Sequence, residues 1–400
     1  MIQYRPGPMV CHYLSQRSGA AAPGRAFHPA AGRRPRPIRA HPSLERSRER
    51  TLGPVDQIDA VRTPASWVVV GLDNGGTCNN ATVLDATGQF LVDRLVENPS
   101  RVQEGPESAV EALADAFTGI LALTSTPLSL VRAVGLDTPG PASADGVISS
   151  KGSTNFSQVS WHGFDIRGAL QARIGLPVIY HNDANAAALY AHHRHFGADA
   201  ANRSSVAAIV GTGLGGGVVE AGKVIRGAAG MAGELGHVQI PLHGVLEEDQ
   251  PVPVCNCGFA GDVESIASLT GIAKNLLPYW FTRFPDHPLA AEPIASAAKM
   301  LRGYGEKEDP LALAVFAQQA RAIGKLFTIA ANFTDPAAYF LGGGVVEAAP
   351  HFRQWFLNTV REHTQLRREQ QDAATFALVP DLDMAGARGA AVAALETVSG

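Results

Sequence analysis

The sequence is poor in several residue types, and each shortage excludes a class of protein. Only four cysteines occur among 400 residues, too few for the disulfide framework of a small secreted domain. No uninterrupted apolar run approaches the roughly 20 residues that a membrane-spanning helix needs, so we expect no integral membrane protein. Hydrophobic residues make up 46% and charged residues 18% of the chain. This balance excludes wholesale disorder and predicts a sizeable buried core.

The first 60 residues differ from the rest in charge and composition. Ten arginines against four acidic residues give them a charge of +6, so the remainder carries −10. Prolines scattered through this segment exclude a helix-turn-helix or a long amphipathic helix. We therefore predict a disordered basic tail over residues 1–62, or upstream sequence translated from an early start. An organellar targeting peptide and an interaction arm for nucleic acid or anionic lipid are the alternatives.

Two parts of the chain open with the same pattern. Each begins with a short β-branched run that predicts a buried strand, continues with a glycine-containing turn and returns in two further strands. These elements are predicted at residues 66–72, 73–77, 81–84 and 89–92 in the first opening, and at 205–210, 211–217, 218–220 and 223–225 in the second. A pattern that recurs after about 135 residues indicates two α/β units of common ancestry facing a cleft.

Segments of helical periodicity follow both openings. Helices are predicted at residues 107–124, 184–195, 310–334, 345–361 and 386–398, and strands precede two of them at 177–180 and 337–341. Strands that alternate with helices indicate an α/β protein with mixed sheets. We predict an N-terminal domain over 63–200, closed by the C-terminal helix 386–398, and a C-terminal domain over 201–385.

The glycine-rich segment 211–217 satisfies the pattern G-x-G-x-x-G, but it does not resemble a dinucleotide fingerprint. Such a site needs a helix directly after the glycines, whereas Val218 and Val219 predict a strand. A hairpin remains, whose tip offers backbone N–H groups and the Thr212 hydroxyl to a phosphate. Segment 73–77 likewise predicts a hairpin tip that can bind a phosphate, and Asp73 is suited to hold Mg²⁺ directly or through water. A plain tight hairpin is the alternative for each segment taken alone.

Seven motifs, in their order and spacing, resemble those of the ROK proteins. These are sugar kinases and sugar-responsive repressors with the actin-like, hexokinase-type phosphotransferase fold. The resemblance covers about residues 66–400. Its motifs lie at residues 73–77 (DNGGT), 138–141 (TPGP), 181–186 (HNDANA), 211–217 (GTGLGGG), 234–237 (ELGH), 255–258 (CNCG) and 341–344 (LGGG).

The resemblance implies two actin-like, ribonuclease H-like domains flanking a cleft, and it implies the roles of individual residues. It identifies Asp183 as a general base that accepts the proton of a sugar hydroxyl; from the residues alone, Asp183 could equally cap the following helix. The implied sugar-binding residues are Asn155, Asn182, Glu234, His237 and Glu264. The implied nucleotide- and phosphate-binding residues are Asp73, Gly75, Gly76, Thr77, Gly211, Thr212, Gly213, Gly215, Gly343 and Gly344.

The cysteine pair departs from the family pattern. Members hold a structural Zn²⁺ with the histidine of E-x-G-H and three cysteines of C-x-C-G-x-x-G-C. Here His237, Cys255 and Cys257 match that set, but Asp262 stands in place of the third cysteine. Tetrahedral Zn²⁺ accepts a carboxylate oxygen, so a site of His, two Cys and Asp is chemically sound, with lower affinity than three thiolates. A metal-free, hydrogen-bonded loop and a substitute ligand, His243, are the alternatives.

We predict an ATP-dependent hexose kinase that transfers the γ-phosphoryl group of Mg-ATP to the 6-hydroxyl of a hexose, with glucose expected. A sugar-responsive regulator is the alternative, but it requires an N-terminal winged helix-turn-helix that the basic tail cannot form. A non-catalytic sugar-binding protein predicts damage to motifs that are intact here. We expect hexose and ATP as partners, no nucleic acid or membrane, a homodimer or homotetramer, and a cytoplasmic location. Neither the sugar nor polyphosphate as an alternative donor is decided by the motifs.

Overall fold

The computed structural model describes residues 66–140, 142–149 and 155–399. The predicted disordered tail over 1–62 lies outside these residues. Among the described helices, none is both long and apolar enough to cross a membrane.

The first sheet is built around two central parallel strands whose residues are almost all buried. In β1, the run Val68–Leu72 is shielded on both faces, which explains why it is continuously apolar rather than alternating. The strand order is β3-β2-β1-β4-β5, with β2 and β3 antiparallel to their neighbours and β4 and β5 parallel. The strands are β1 (Val68–Asn74), β2 (Cys78–Asp85), β3 (Glu97–Pro99), β4 (Val131–Thr138) and β5 (Val178–Asn182).

The second sheet repeats this topology. Its order is β10-β9-β6-β7-β8, in which β6 pairs antiparallel with β7 and parallel with β9, as β1 does with β2 and β4. The strands are β6 (Ser205–Val210), β7 (Leu214–Glu220), β8 (Lys223–Val224), β9 (Ala338–Gly343) and β10 (Thr375–Leu378). The predicted α/β fold with two units of related topology is therefore confirmed.

Helices cover both sheets and fill the space between them. They are α1 (Pro106–Leu123), α2 (Ile166–Ile174), α3 (Asp183–Phe196), α4 (Glu264–Ala267), α5 (Leu269–Gly271), α6 (Leu277–Arg283), α7 (Ile294–Gly305), α8 (Pro310–Thr334), α9 (Pro350–Glu362), α10 (Arg368–Ala373) and α11 (Leu382–Ser399), with a π-helical segment at Ile272–Leu276. The helices α1 and α2 pack on the first sheet, and α6 to α9 belong to the apolar core of the second.

The last helix, α11, packs against β1, β4 and α3. Two residues of these strands that face the helix are glycines. A Cβ atom at Gly71 would overlap the Ala387 carbonyl, and one at Gly135 would overlap the Ala390 carbonyl. Any larger residue in these two strands would push the helix away from the sheet. A small cluster of apolar residues, including Val69, seals this contact.

Three sequence predictions are wrong in position. The strand expected at 89–92 is replaced by an isolated bridge at Phe90, and β3 forms later, at Glu97–Pro99, where three residues offer no alternation to recognise. The expected turn 211–217 ends at residue 213, because its last glycines pair with β6 as part of β7. The helix expected from 345 starts at Pro350, which occupies its first turn.

Candidate active site

Carboxylates gather where the parallel strands of the first sheet end. Asp73 closes β1 and pairs directly in register with Asp137 of β4. Asp183 begins α3, immediately after β5. Burial raises the pKa of all three carboxyl groups above the ordinary value, and the charge of Asp73 adds to this effect at the other two. The first sheet therefore presents an acidic edge whose negative charges are mutually unfavourable.

Asp137 is the residue that the sequence analysis missed. Its side chain is fully buried, and neither carboxylate oxygen has a hydrogen-bond partner among the described residues. Its pKa lies well above the ordinary value because of burial, followed by the charges of Asp73 and Asp183. The signal was available, since an apolar strand that ends on an acidic residue is unusual for a plain buried strand.

Asp183 is not needed to cap its own helix. Asn182 occupies the N-cap position, where its Oδ1 accepts a hydrogen bond from the Ala184 N–H at 3.0 Å. Asp183 is the first helical residue, and its Oδ1 also lies 2.7 Å from the Ala184 nitrogen. Burial, with the charges of Asp73 and Glu234, raises the pKa of Asp183 to about 7. A carboxyl group with this pKa exchanges a proton at neutral pH.

The first hairpin joins β1 to β2 through residues 75–77. Its turn is closed by a hydrogen bond of 3.0 Å from the Gly75 N–H to the Cys78 carbonyl, and Thr77 at the tip is exposed. Asn80 Nδ2 donates to Asp73 Oδ2 at 3.1 Å, which orients that carboxylate. The Asn155 side chain lies against Gly76, so one predicted sugar-binding residue contacts this hairpin.

The second hairpin joins β6 to β7 through residues 211–213. The Gly211 N–H donates to the Gly213 carbonyl at 2.9 Å, and Thr212 is exposed at the tip. Gly215 faces α3 rather than the cleft: a Cβ there would lie 2.7 Å from the Ala184 Cβ. Its missing side chain therefore allows the N-terminus of α3, and with it Asp183, to approach the hairpin.

The glycines at the end of β9 lie beside this hairpin. Gly343 pairs with Val210, the last residue of β6, and adopts a positive φ of 94°. The Gly344 N–H donates to the Val210 carbonyl at 3.1 Å, and its own carbonyl accepts a hydrogen bond of 2.8 Å from Arg302 Nη1. The residues predicted for phosphate and adenosine contacts in the second half thus share one edge of the second sheet.

Glu234 and His237 occupy an irregular segment next to β7. Glu234 is half-buried, and burial raises its pKa, with His237 opposing and Glu264 reinforcing the shift. Glu264, at the start of α4, accepts a hydrogen bond of 2.8 Å from the Leu214 N–H through Oε2. Its Oε1 lies 3.4 Å from Cys255 Sγ. The predicted sugar-binding acids are therefore close to one another, and one of them also contacts the second hairpin.

The four residues predicted to bind a metal form one cluster. Single donor atoms of His237, Cys255, Cys257 and Asp262 all lie within 4.8 Å of one another, and His243 lies outside the group. His237 Nδ1 is 3.3 Å from Asp262 Oδ2 and 3.9 Å from Cys255 Sγ, and Cys257 Sγ is 3.7 Å from the same Asp262 oxygen.

Two of these separations, 3.3 and 3.7 Å, equal edges of a tetrahedron around Zn²⁺, while the third, 3.9 Å, and the spread of up to 4.8 Å are longer. Bond lengths of 2.0–2.3 Å to nitrogen, oxygen and sulfur give ligand-to-ligand distances of roughly 3.3–3.8 Å. Burial raises the pKa of the Cys255 thiol, with Cys257 and Asp262 contributing. Because Zn²⁺ binds the thiolate, metal binding at this cluster must release a proton.

Comparison with known proteins gives consistent results. The ROK family profile matches residues 69–397. A glucokinase of Halalkalibacterium halodurans is 31% identical over 313 residues, 74% of this chain and 89% of that protein. The solved ROK hexokinase of Thermus thermophilus is 32% identical, with a TM-score of 0.66, over 83% of this chain and all of the other.

A second solved structure is that of a ROK family glucokinase from Streptomyces griseus in complex with glucose and AMPPNP. It is 27% identical to this chain, with a TM-score of 0.58, and the alignment covers 82% of this chain and 99% of the other. The described fold, including its two sheets of equal topology, is shared with these proteins. With a family match over most of its length, this chain belongs to the ROK family.

Proposed function

We propose that the protein is an ATP-dependent hexose kinase that phosphorylates the 6-hydroxyl of glucose, with Asp183 as the general base. The observation that supports this most directly is the position of Asp183, half-buried at the start of α3 between an acidic sheet edge and a glycine hairpin. The names of the relatives support a sugar kinase, and the glucose and AMPPNP bound to the Streptomyces griseus enzyme support glucose and ATP as the substrates.

Asp183 would accept the proton as the sugar hydroxyl attacks the γ-phosphoryl group. Its pKa of about 7 leaves a large part of the population ionised at neutral pH, while the carboxylate is still basic enough to take the proton. Glu234, His237 and Glu264 would bind the sugar hydroxyls, joined by Asn155 and Asn182. A hydroxyl held by several such groups is oriented for in-line attack.

The two hairpins would bind the triphosphate in different ways. The exposed tip at residues 211–213 offers backbone N–H groups and the Thr212 hydroxyl, with Gly343 and Gly344 beside it for the adenosine. Residues 75–77 offer a second tip next to Asp73. The buried, unpartnered oxygens of Asp137, together with Asp73, form the oxygen donor set that Mg²⁺ prefers. A bound Mg²⁺ neutralises charge on the transferred phosphoryl group.

We also propose that His237, Cys255, Cys257 and Asp262 hold a structural Zn²⁺. The donor types and their separations fit a tetrahedral site. The ligands come from two segments, 237 and 255–262, so a bound metal would join the sugar-binding segment to the loop that follows. His237 ligating through Nδ1 would keep its Nε2 available for a sugar hydroxyl.

The test is ADP release by the purified chain with Mg-ATP and a panel of glucose, mannose, fructose, allose and N-acetylglucosamine, run beside Asp183→Asn. We expect turnover with glucose that is lost in the variant. Polyphosphate replaces ATP in a parallel assay. Absence of turnover with every sugar, combined with a raised Tm in the presence of one of them, would overturn the kinase proposal in favour of a sugar sensor.

A further inference from the structure

Asp262 performs two tasks at once. Its Oδ2 faces the cluster, 3.3 Å from His237 Nδ1 and 3.7 Å from Cys257 Sγ. Its Oδ1 accepts a hydrogen bond of 2.9 Å from the Ser265 N–H, and its backbone carbonyl accepts one of 2.6 Å from the Ser265 hydroxyl. The side chain is fully buried. A cysteine would offer a single sulfur atom to both the metal and the Ser265 N–H, whereas the carboxylate has a separate oxygen for each.

This connection leads from the cluster to α4 and then to the second hairpin. Glu264, one residue before Ser265, accepts the Leu214 N–H at the start of β7. Further along, the Leu269 N–H donates to the Gly211 carbonyl at 3.0 Å. Thr270 donates to the Thr212 carbonyl through Oγ1 at 2.8 Å and through its N–H at 3.2 Å.

The hairpin tip is thus held from one side by residues 264–270. In the described part of the chain, the carbonyls of Gly211 and Thr212 accept these bonds from Leu269 and Thr270, which lie outside the hairpin. Residues 262–265 are therefore connected to the hairpin directly through Glu264, and the residues that follow them bind its tip through Leu269 and Thr270.

We propose that metal binding at the His237, Cys255, Cys257 and Asp262 cluster positions the second hairpin through Asp262, and so raises the affinity for the nucleotide. Asp262 is a positioning residue in this proposal, which rests on the proposed binding of ATP at the hairpin. A bound Zn²⁺ restricts residue 262 and the start of α4. The hairpin then loses less conformational freedom when it binds phosphate, which makes the coupling positive.

The first experiment measures the Kd of AMPPNP with Mg²⁺ by calorimetry on the full chain, before and after removal of zinc with a zinc-selective chelator. We expect the zinc-loaded protein to bind the nucleotide about 5- to 150-fold more tightly, the usual range for coupled sites. By reciprocity, AMPPNP must raise the affinity for zinc by the same factor. Hydrogen exchange of residues 211–214 should slow when zinc binds, a readout that needs no variant.

Two variants distinguish a change in the affinity for zinc from a change in the coupling between zinc binding and nucleotide binding. Asp262→Cys supplies a third thiolate, so zinc should bind more tightly, but the Ser265 N–H loses its carboxylate acceptor and the coupling should weaken; the contact of Cys255 Sγ with Glu264 Oε1 and the bond of the Ser265 hydroxyl to the backbone carbonyl of residue 262 remain. Cys257→Ser is the matched control: it removes an exposed ligand that has no hydrogen bond to α4. It should bind zinc more weakly, yet retain the full nucleotide effect at saturating zinc.

The outcomes distinguish this proposal from the proposed function. Equal nucleotide Kd values with and without zinc in the wild-type chain would overturn the coupling and leave the kinase proposal intact. Full coupling in Asp262→Cys would overturn the path through Asp262. If AMPPNP binds in neither state, the proposed function itself fails.

Discussion

The two sheets have the same strand order but different chemistry at the same edge. In the first sheet, the last but one residues of the central parallel strands are Asp73 and Asp137, neighbours in register. At the corresponding place in the second sheet, Val210 is the neighbour of Gly343. One edge therefore carries buried carboxyl groups, whose pKa values are raised, and the other carries uncharged backbone.

The difference shows how two sheets of the same topology can offer different binding groups at the same edge. Acidic side chains can hold a cation and accept a proton, whereas a glycine edge lets backbone N–H groups approach an anion. With α3 carrying Asp183 up to Gly215, the two edges meet. Substitutions at either edge test this difference, and the greatest loss of activity is expected at Asp183.

The first prediction removes the proton acceptor from the acidic edge. Asp183→Asn should lower kcat by about 10³-fold, because general-base catalysis contributes roughly 10²–10⁴-fold. The measurement is steady-state ADP release. Asp165→Asn is the control, since Asp165 also lies at a helix N-terminus and accepts the Gly168 N–H at 2.7 Å, and Asn caps equally well. A comparable loss in both variants would contradict a specific role for Asp183.

The second prediction concerns the protonation of the same edge. Burial raises the pKa of Asp183 to about 7, so the base is protonated below that pH and ionised above it. The kcat/KM should therefore rise about tenfold per pH unit from pH 5 to about 7 and then level off. Residual activity of Asp183→Asn should lack this dependence. A wild-type profile that is flat down to pH 5 would argue against Asp183 as the titrating group.

The third prediction concerns the removal of one ionisable side chain from the acidic edge. Asp137→Asn should raise the Mg²⁺ concentration for half-maximal activity by about tenfold, because one carboxylate of the oxygen donor set is lost. Magnesium titrations at saturating sugar measure this effect. The exposed Asp145 provides the control Asp145→Asn, which should not alter the magnesium requirement.

The same variant should also change stability in a defined direction. Because the pKa of Asp137 is higher in the folded than in the unfolded protein, its ionisation destabilises the fold as pH rises, and the penalty is absent at low pH. Asp137→Asn should thus raise Tm by about 2–4 °C at pH 8, equivalent to ~1 kcal/mol, and by less at pH 5. A larger gain at pH 5 would refute the assigned cause.

The fourth prediction tests the backbone character of the second edge. Thr212→Ala should raise KM for ATP only about 3- to 5-fold, the effect of one hydrogen bond of ~1 kcal/mol, because the N–H groups of the tip remain. The KM for sugar should not change. A loss of 100-fold or more would mean that the Thr212 side chain, and not the backbone, provides the main phosphate contact.

Local signals in the sequence predicted much of the fold. The helix α8 was predicted at its observed bounds from its amphipathic periodicity. In the structure, Asp309 accepts the Ala312 N–H and Pro310 occupies the first turn, which fixes where the helix begins. The three-residue β3 was misplaced, since so short a strand is defined by its partner rather than by its own pattern.

Site residues that lie within a family motif were predicted from the sequence. Contacts that depend on long-range packing were missed. The set of His237, Cys255, Cys257 and Asp262 came from the resemblance to the family motifs, and the structure brings the four residues together. The contact of Glu264 with Leu214 joins residues 50 positions apart, and no local pattern encodes it. Asp137 stood beside a recognised motif, but its isolation from hydrogen-bond partners is a property of the packed structure.

The close packing of α11 on β1 and β4 has a consequence for synthesis on the ribosome. The first sheet is complete at Asn182, yet α11, which covers its inner face, begins about 200 residues later, at Leu382. At about 5–20 residues per second this interval takes about 10–40 s. During that time the face around Val69 and Ala133 lacks its contacts with α11. Completion of the first half therefore depends on α11, which is made long after the strands it covers, and a nascent chain released before α11 would expose apolar surface to chaperones and proteases.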